Sequence, residues 1–332
     1  MHGWIILDKP VGLGSTQAVS AVKRALRAEE YPKLKVGHGG TLDPLASGVL
    51  PIAIGEATKL AGRMLDASKT YDFTIGFGIE TDTLDAEGKT VATSEVRPTL
   101  ADIEAVLPRF TGAIDQVPPA FSALKVDGAR AYDLARAGKE VVLATRAVTI
   151  FSLTLSSPVR GRWQAQPDGG GGNATASDQC PPPPPAALVP LPLAGEDHVN
   201  AITLTAHVSK GTYIRSMARD IARALGTVGH VTMLRRTKAG PFGLDAAISL
   251  DKLAELGQGR RLTDILLPLG AGLDDIPALS LTPDQAGLLR QGQRLIGIAA
   301  SDGLHLASLD KIPVALVEVE DREVRVVRGF NL

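Results

Sequence analysis

Tyr71, Phe73, Ile75, Phe77 and Ile79 alternate strictly with Asp72, Thr74, Gly76 and Gly78. A period of two sends all five apolar side chains to one face, which predicts a half-buried β-strand. Ile202, Leu204, Ala206 and Val208 repeat the pattern. Gly48–Gly55, Val148–Leu155 and Val231–Arg235 also read as extended. Helical spacing lies between these runs. Val19, Val22 and Leu26 recur within Ser15–Ala28, and shorter helices are expected over Ala57–Leu65 and Ala129–Gly138. Thr99 and Asp102 form a variant capping box that opens a helix running to about Phe110. A further helix over Thr212–Leu225 is stopped by Gly226. Strands and helices mix without a regular βαβ repeat, so the predicted class is α+β rather than doubly wound. Beyond Pro277 the segments Arg294–Ala299, Leu304–Ala307 and Val314–Val327 are strand-like and suggest a small β module.

A chain of 332 residues accommodates two units, here 1–276 and 277–332. Its 44% hydrophobic content excludes global disorder, and its 4% aromatic content implies an aliphatic core. Residues 158–198 stand apart, with 9 of the 22 prolines and the run Gly169 to Gly172. Such a stretch lacks the apolar surface to offset its ordering entropy and reads as a surface insertion with a polyproline II portion. A motif for a proline-binding domain is the alternative reading of it. The single Cys180 lies inside it, which excludes an intramolecular disulfide and a Cys-based zinc cage. The six histidines have no H-x-x-x-H spacing, so no metal site is expected. No run approaches the roughly 18 apolar residues of a membrane span. The first residues carry no basic region followed by an apolar stretch, so the expectation is a soluble cytoplasmic protein without a membrane partner.

The net charge of -1 conceals segregation. Residues 72–115 hold nine acids and three bases, whereas residues 201–240 hold seven bases and one acid. The basic stretch is a candidate footprint for phosphates. Arg215, Arg219 and Arg223, spaced i, i+4, i+8, stack on one helix face; a solvated face is the competing reading for Arg219 and Arg223. Gly88-Lys89-Thr90 lacks the glycine that would complete a phosphate loop, and no G-x-S-x-G nucleophile turn accompanies His38-Gly39-Gly40. The densest unusual segment is Gly37–Pro51, where three glycines surround His38 and Asp43 precedes Pro44. It reads either as an Asp-Pro turn or as a functional loop whose glycines admit a ligand close to the backbone.

Seven motifs, in order, resemble the TruB family of bacterial tRNA pseudouridine synthases. They are Leu7-Asp8-Lys9-Pro10, the block Gly37 to Ala57, Lys69-Thr70-Tyr71, Thr81 to Asp85, Pro118 to Lys125, Ser209 to Arg215, and Leu234-Arg235-Arg236. The insertion at 158–198 and the pair Gly14-Ser15, where two hydroxyl residues are expected, depart from the family pattern. The resemblance implies a pseudouridine synthase fold: a central mixed, mostly antiparallel sheet flanked by helices. It makes 1–276 the catalytic domain and 277–332 a short PUA-like RNA-binding module. It implies isomerisation of uridine 55 in the tRNA T-arm, with the base flipped out, and no cofactor. Asp43 matches the catalytic aspartate. It either attacks covalently or takes the 2′-carbon proton, and either route uses the ionised carboxylate. Arg215 matches its ion-pair partner, and Tyr71 the tyrosine against the target base, where stacking recovers about 1–3 kcal/mol. His38 matches the residue that fills the vacated space in the RNA loop. Lys59 and Tyr213 match positions near the site, and Asp85 one that contacts tRNA or orients the site. Arg219 joins the substrate-binding set as a phosphate contact, and the family implies a monomer.

Two rivals share these residues. One is an RNA-binding or tRNA-folding module in which catalysis is incidental; intact Asp43, Tyr71 and Arg215 weigh against a purely non-catalytic form. The other is a guide-RNA-dependent homologue, which would carry a larger terminal domain and basic extensions that this chain lacks. An unrelated hydrolase built on the His38 loop has no nucleophile motif to support it.

Overall fold

The computed structural model describes residues 1–156 and 198–332, apart from Ala123, Asp127, Glu140 and Val142. The expected insertion, with Cys180, falls outside the described residues save for His198.

The fold is built on a ten-stranded mixed sheet. Its main path runs Leu267–Pro268, Gly3–Lys9, Ser47–Ile54, Gly229–Ala239, Lys69–Phe77, Ala201–Val208, Arg146–Leu155 and Gly112–Gln116. Every pairing on this path is antiparallel except that of Gly229–Ala239 with Ser47–Ile54. Val36–His38 and Phe242–Gly243 pair at its margins. This is the expected α+β arrangement.

The alternation at 71–79 is realised in part. Phe73 and Ile75 are buried and pair with the strands on either side, and buried Phe77 pairs with Gly229. Gly78 then takes φ +96° and turns the chain. Ile79 is thereby exposed and begins a new strand, Ile79–Thr81, that pairs with Thr90–Thr93. Periodicity counts residues and cannot see a left-handed glycine that ends the strand. The Ala129–Gly138 helix is also shorter than expected. Ala129–Arg130 pairs with Lys125–Val126, and only Ala131–Arg136 is α-helical. Ser15–Ala28 forms as expected, burying Ala18, Val19, Val22, Ala25 and Leu26, with the Gln17 amide oxygen accepting from Gly14 N at 2.8 Å.

Both faces of the Gly3–Lys9 strand are covered. Ile5 and Leu7 join a core with the helices Ser15–Ala28, Ile214–Ala224 and Leu250–Gln258. Trp4 and Ile6 join a second core on the opposite face, which includes Phe242, Leu269, Leu316 and Phe330. The last two belong to the C-terminal part, so that part packs against the large sheet. It is a five-stranded sheet in the order Ala278–Ser280, Gly303–Leu309, Ile312–Glu320, Glu323–Gly329 and Leu295–Ile296, with a core of its own. The run expected as one extended segment, Val314–Val327, is a hairpin. Asp321 and Arg322 take φ +50° and +67°, as a tight hairpin turn requires.

Candidate active site

Asp43 lies on the loop between the Val36–His38 and Ser47–Ile54 strands, and the loop is tied down on three sides. Ser15 Oγ donates to Leu42 O and accepts from Leu42 N, both at 2.9 Å. Gly12 N donates to Pro44 O at 2.8 Å. Lys9 Nζ donates to Leu13 O at 2.6 Å, Pro10 O at 2.9 Å and Pro44 O at 3.3 Å. Lys9 is fully buried, and desolvation brings its pKa down to about 8 although Asp43 nearby raises it. Of the expected hydroxyl pair, Ser15 alone makes this lock to the loop.

The Asp43 carboxylate accepts an ion pair from Arg215 Nη2 at 3.0 Å and keeps a side-chain exposure of 40%. Arg215, at the start of the Ile214–Ala224 helix, is buried and fully engaged. Its Nη1 donates to Asp85 Oδ2 at 3.1 Å and Thr83 O at 3.0 Å, and its Nη2 also donates to Phe121 O at 3.1 Å. Asp85 is buried in turn, accepting from Thr83 Oγ1 at 2.5 Å and Glu87 N at 3.1 Å. The result is a chain, Asp85–Arg215–Asp43, that is rigid at the buried end and open at the other. A guanidinium gripped by three fixed acceptors leaves its fourth partner little freedom of position.

These groups line a cleft of about 620 Å³ with Tyr71, Tyr213 and Arg236. Tyr71 is half-buried and stands in register with Arg236. Burial raises the Tyr213 hydroxyl pKa. The Tyr213 backbone is clamped by buried Gln116, which donates to Tyr213 O at 3.1 Å and accepts from Tyr213 N at 2.8 Å. The cleft therefore brings together Asp43, Tyr71, Asp85, Tyr213 and Arg215 from four separate stretches of sequence.

Three expected site residues lie elsewhere. His38 is half-buried outside the cleft lining, its Nδ1 buried without a hydrogen-bond partner. Burial, and secondarily Arg236, lower its pKa, so the ring is neutral at pH 7. Lys59 pairs with Glu56 at 2.7 Å and donates to Gly329 O at 2.9 Å, joining the short helix after Ser47–Ile54 to the C-terminal sheet. Arg219 Nε pairs with Asp220 at 2.8 Å and its Nη2 donates to Val117 O at 3.2 Å. The basic stretch at 201–240 is mostly compensated from within. Lys210 pairs with Asp66, Arg223 with Glu80 and Arg235 with Asp8, while Arg236 donates only to carbonyls. The solvated-face reading fits Arg223, whose side chain is 57% exposed, but not the mostly buried Arg219.

Periodicity gave no warning of Lys9, Lys69, Gln116 or Arg236. Lys69 is buried, donates to the carbonyls of Met64, Leu65 and Ala67, and has its pKa lowered by burial to about 8. For Lys9, Lys69 and Arg236 the only signal was their place in matched motifs, which carries no geometry, and Gln116 lies outside those motifs. The loop glycines also serve a different end from ligand approach. A Cβ on Gly39 would meet Met64 Cβ at 2.7 Å, and one on Gly48 would collide with the Arg236 backbone. No set of three or more His, Cys, Asp or Glu suited to a metal occurs among the described residues. No helix among them is long and apolar enough to cross a membrane.

Residues 23–165 match the family model for the N-terminal domain of TruB family pseudouridylate synthases, and 215–274 the model for the tRNA pseudouridylate synthase B C-terminal domain. A protein of Novosphingobium aromaticivorans named tRNA pseudouridine synthase B is 61% identical over 332 residues, covering 100% of this chain and 98% of that one. The chain belongs to the TruB family. TruB-family enzymes are isomerases, and this chain is one. A protein of the same name from Zymomonas mobilis is 54% identical over 331 residues, covering 100% of this chain and 96% of that one. Among solved structures, a chain of an H/ACA RNP bound to a substrate RNA containing 2′-deoxyuridine superposes with a TM-score of 0.66 at 22% identity, over 99% of this chain and 85% of that one. The archaeal box H/ACA Nop10-Cbf5 complex gives 0.64 at 21%, over 99% and 86%. At these identities the structures speak for the pseudouridine synthase fold alone. The TruB C-terminal-domain match stops at 274, ahead of the five-stranded terminal sheet.

Proposed function

We propose that the chain isomerises uridine to pseudouridine in tRNA, at position 55 of the T-arm, with Asp43 as the catalytic carboxylate. The observation that carries this reading is an accessible carboxylate in a cleft, held by a buried arginine that is itself fixed by a second carboxylate. The reaction breaks the bond from N1 of uracil to C1′ of ribose and forms one from C5 to C1′. The C5 proton leaves and N1 gains one, so neither water nor an oxidant is consumed. Asp43 needs its negative charge for attack or for proton removal, and Arg215 pairs with that carboxylate at 3.0 Å. Tyr71 offers its ring to the flipped base. Asp85 acts through Arg215, the orienting alternative for this residue. A cleft of about 620 Å³ has room for a nucleoside but not for a stacked duplex, which agrees with base flipping. In this reading residues 277–332 form the RNA-binding module.

Purified protein incubated with unmodified tRNA, followed by mapping of pseudouridine, tests the assignment. Pseudouridine is expected at uridine 55 and nowhere else in the T-arm; an unmodified T-loop removes the proposal. Asp43→Asn is expected to fold and bind tRNA as the wild type does, with turnover lower by at least about 1,000-fold. Turnover at the wild-type rate would take Asp43 out of the chemistry.

A further inference from the structure

Arg236 is a cation enclosed by protein, with 1% of its surface exposed, at the wall of the cleft. Its Nε donates to Val49 O at 2.8 Å, its Nη1 to Thr41 O at 3.2 Å and its Nη2 to Gly40 O at 3.4 Å. These carbonyls belong to the two limbs of the loop that carries Asp43. Among the described residues no carboxylate pairs with it. The backbone of Arg236 sits between Gly48 on one side and Tyr71 on the other, in register with both. Two loop glycines are shaped around it. Gly48 takes φ +104°, where any Cβ would strike the Arg236 backbone, and Gly40 takes φ +141°, which turns its carbonyl toward the guanidinium.

We infer that Arg236 is a positioning residue for the reaction: one guanidinium spans the loop from Gly40 to Val49 and sets where Asp43 stands relative to Tyr71. The inference rests on Asp43 being the reacting carboxylate. A planar fork with donors in fixed directions suits three carbonyls on separate peptides, whereas a lysine ammonium is a single point that reaches one or two of them. A buried cation without a counter-ion is costly to keep. Burial is the main cause of the weakened proton binding at Lys9, His38 and Lys69, and the fixed positive charge of Arg236 adds to it. Arg215 grips the carboxylate and Arg236 grips the loop behind it, so the two arginines act on different atoms.

The test compares Arg236→Lys and Arg236→Met with the wild type on tRNA. A displacement of the order of 1 Å at a reacting group lowers rate by roughly 100-fold, so kcat is expected to fall by about that factor in Arg236→Met and by about tenfold in Arg236→Lys. The dissociation constant for tRNA stays within about threefold, since Arg236 faces the loop and not solvent. Hydrogen exchange of the amides over 38–47, measured without RNA, is expected to speed up at least about tenfold while the helix Ile214–Ala224 keeps its protection. Arg236→Lys carries the test if Arg236→Met does not fold. Wild-type kcat in Arg236→Lys, unchanged exchange over 38–47, or a loss confined to tRNA affinity would each overturn the inference. If the wild type fails to modify tRNA, the proposed function falls, and the exchange measurement still decides whether Arg236 holds the loop.

Discussion

At the residue scale the informative carboxylate is Asp85. It is buried at the edge of the cleft and fixes Arg215 from behind. Removing one partner of a buried ion pair leaves the other charge uncompensated, at a cost of about 3 kcal/mol or more. Asp85→Ala is therefore expected to lower unfolding stability by about 3 kcal/mol in a denaturant titration. Asp85→Asn keeps the shape and one acceptor but loses the charge. It is expected to stay folded, bind tRNA normally and lose about tenfold or more in kcat, because Arg215 can shift away from its ideal contact with Asp43. Wild-type kcat in Asp85→Asn would show that Thr83 O and Phe121 O hold Arg215 well enough alone.

At the scale of elements, the Ile214–Ala224 helix shows what a sequence pattern conveys and what it leaves out. The stripe Ile214, Met217, Ile221 is buried as its spacing requires, and the arginines at i, i+4, i+8 were visible beforehand. Their acceptors were not, because Asp85, Val117 and Glu80 lie about 100 residues or more away in the chain. Charge counting over 201–240 thus suggested a phosphate surface where most of the cations serve the protein's own carboxylates and carbonyls. The same limit explains Ile79, whose exposure follows from one glycine's backbone angle, and Lys59, whose partner Gly329 is on the terminal sheet. Asp43, Tyr71 and Arg215 were legible through motif order, while Lys9, Gln116 and Arg236 act on backbone atoms that no motif names. It follows that replacing Arg219 and Arg223 together by Ala should leave the salt dependence of tRNA binding unchanged. Stability should fall by about 1 kcal/mol through the lost pairs with Asp220 and Glu80. A drop of one or two in the slope of log affinity against log salt would instead place these arginines on phosphates.

At the scale of the whole molecule, the topology sets the points where the chain enters and leaves 158–198 apart from the cleft. Arg146–Leu155 and Ala201–Val208 are antiparallel neighbours, with Leu155 opposite Leu204 and Ile150 opposite Val208. The segment leaves and re-enters beside Leu155 and Ala201, whereas Val208 and Ser209 at the other end of the same strand line the cleft. A strand rises roughly 3.3 Å per residue, so the seven steps from Ala201 to Val208 place the attachment roughly 20–25 Å from the cleft wall. The sheet between them is held by its own pairing with Lys69–Phe77 over eight consecutive residue pairs. Shortening the connection changes loop-closure entropy only slowly, by roughly 0.6 kcal/mol per halving of length. Deleting residues 165–190 is therefore expected to leave kcat/KM for tRNA within about twofold of wild type and to shift unfolding stability by less than about 1 kcal/mol. Steady-state kinetics and a denaturant titration of the shortened chain check both. A tenfold loss in kcat/KM at unchanged stability would mean that the segment reaches the RNA, since the strand pairing that separates its attachment points from the cleft would still be in place.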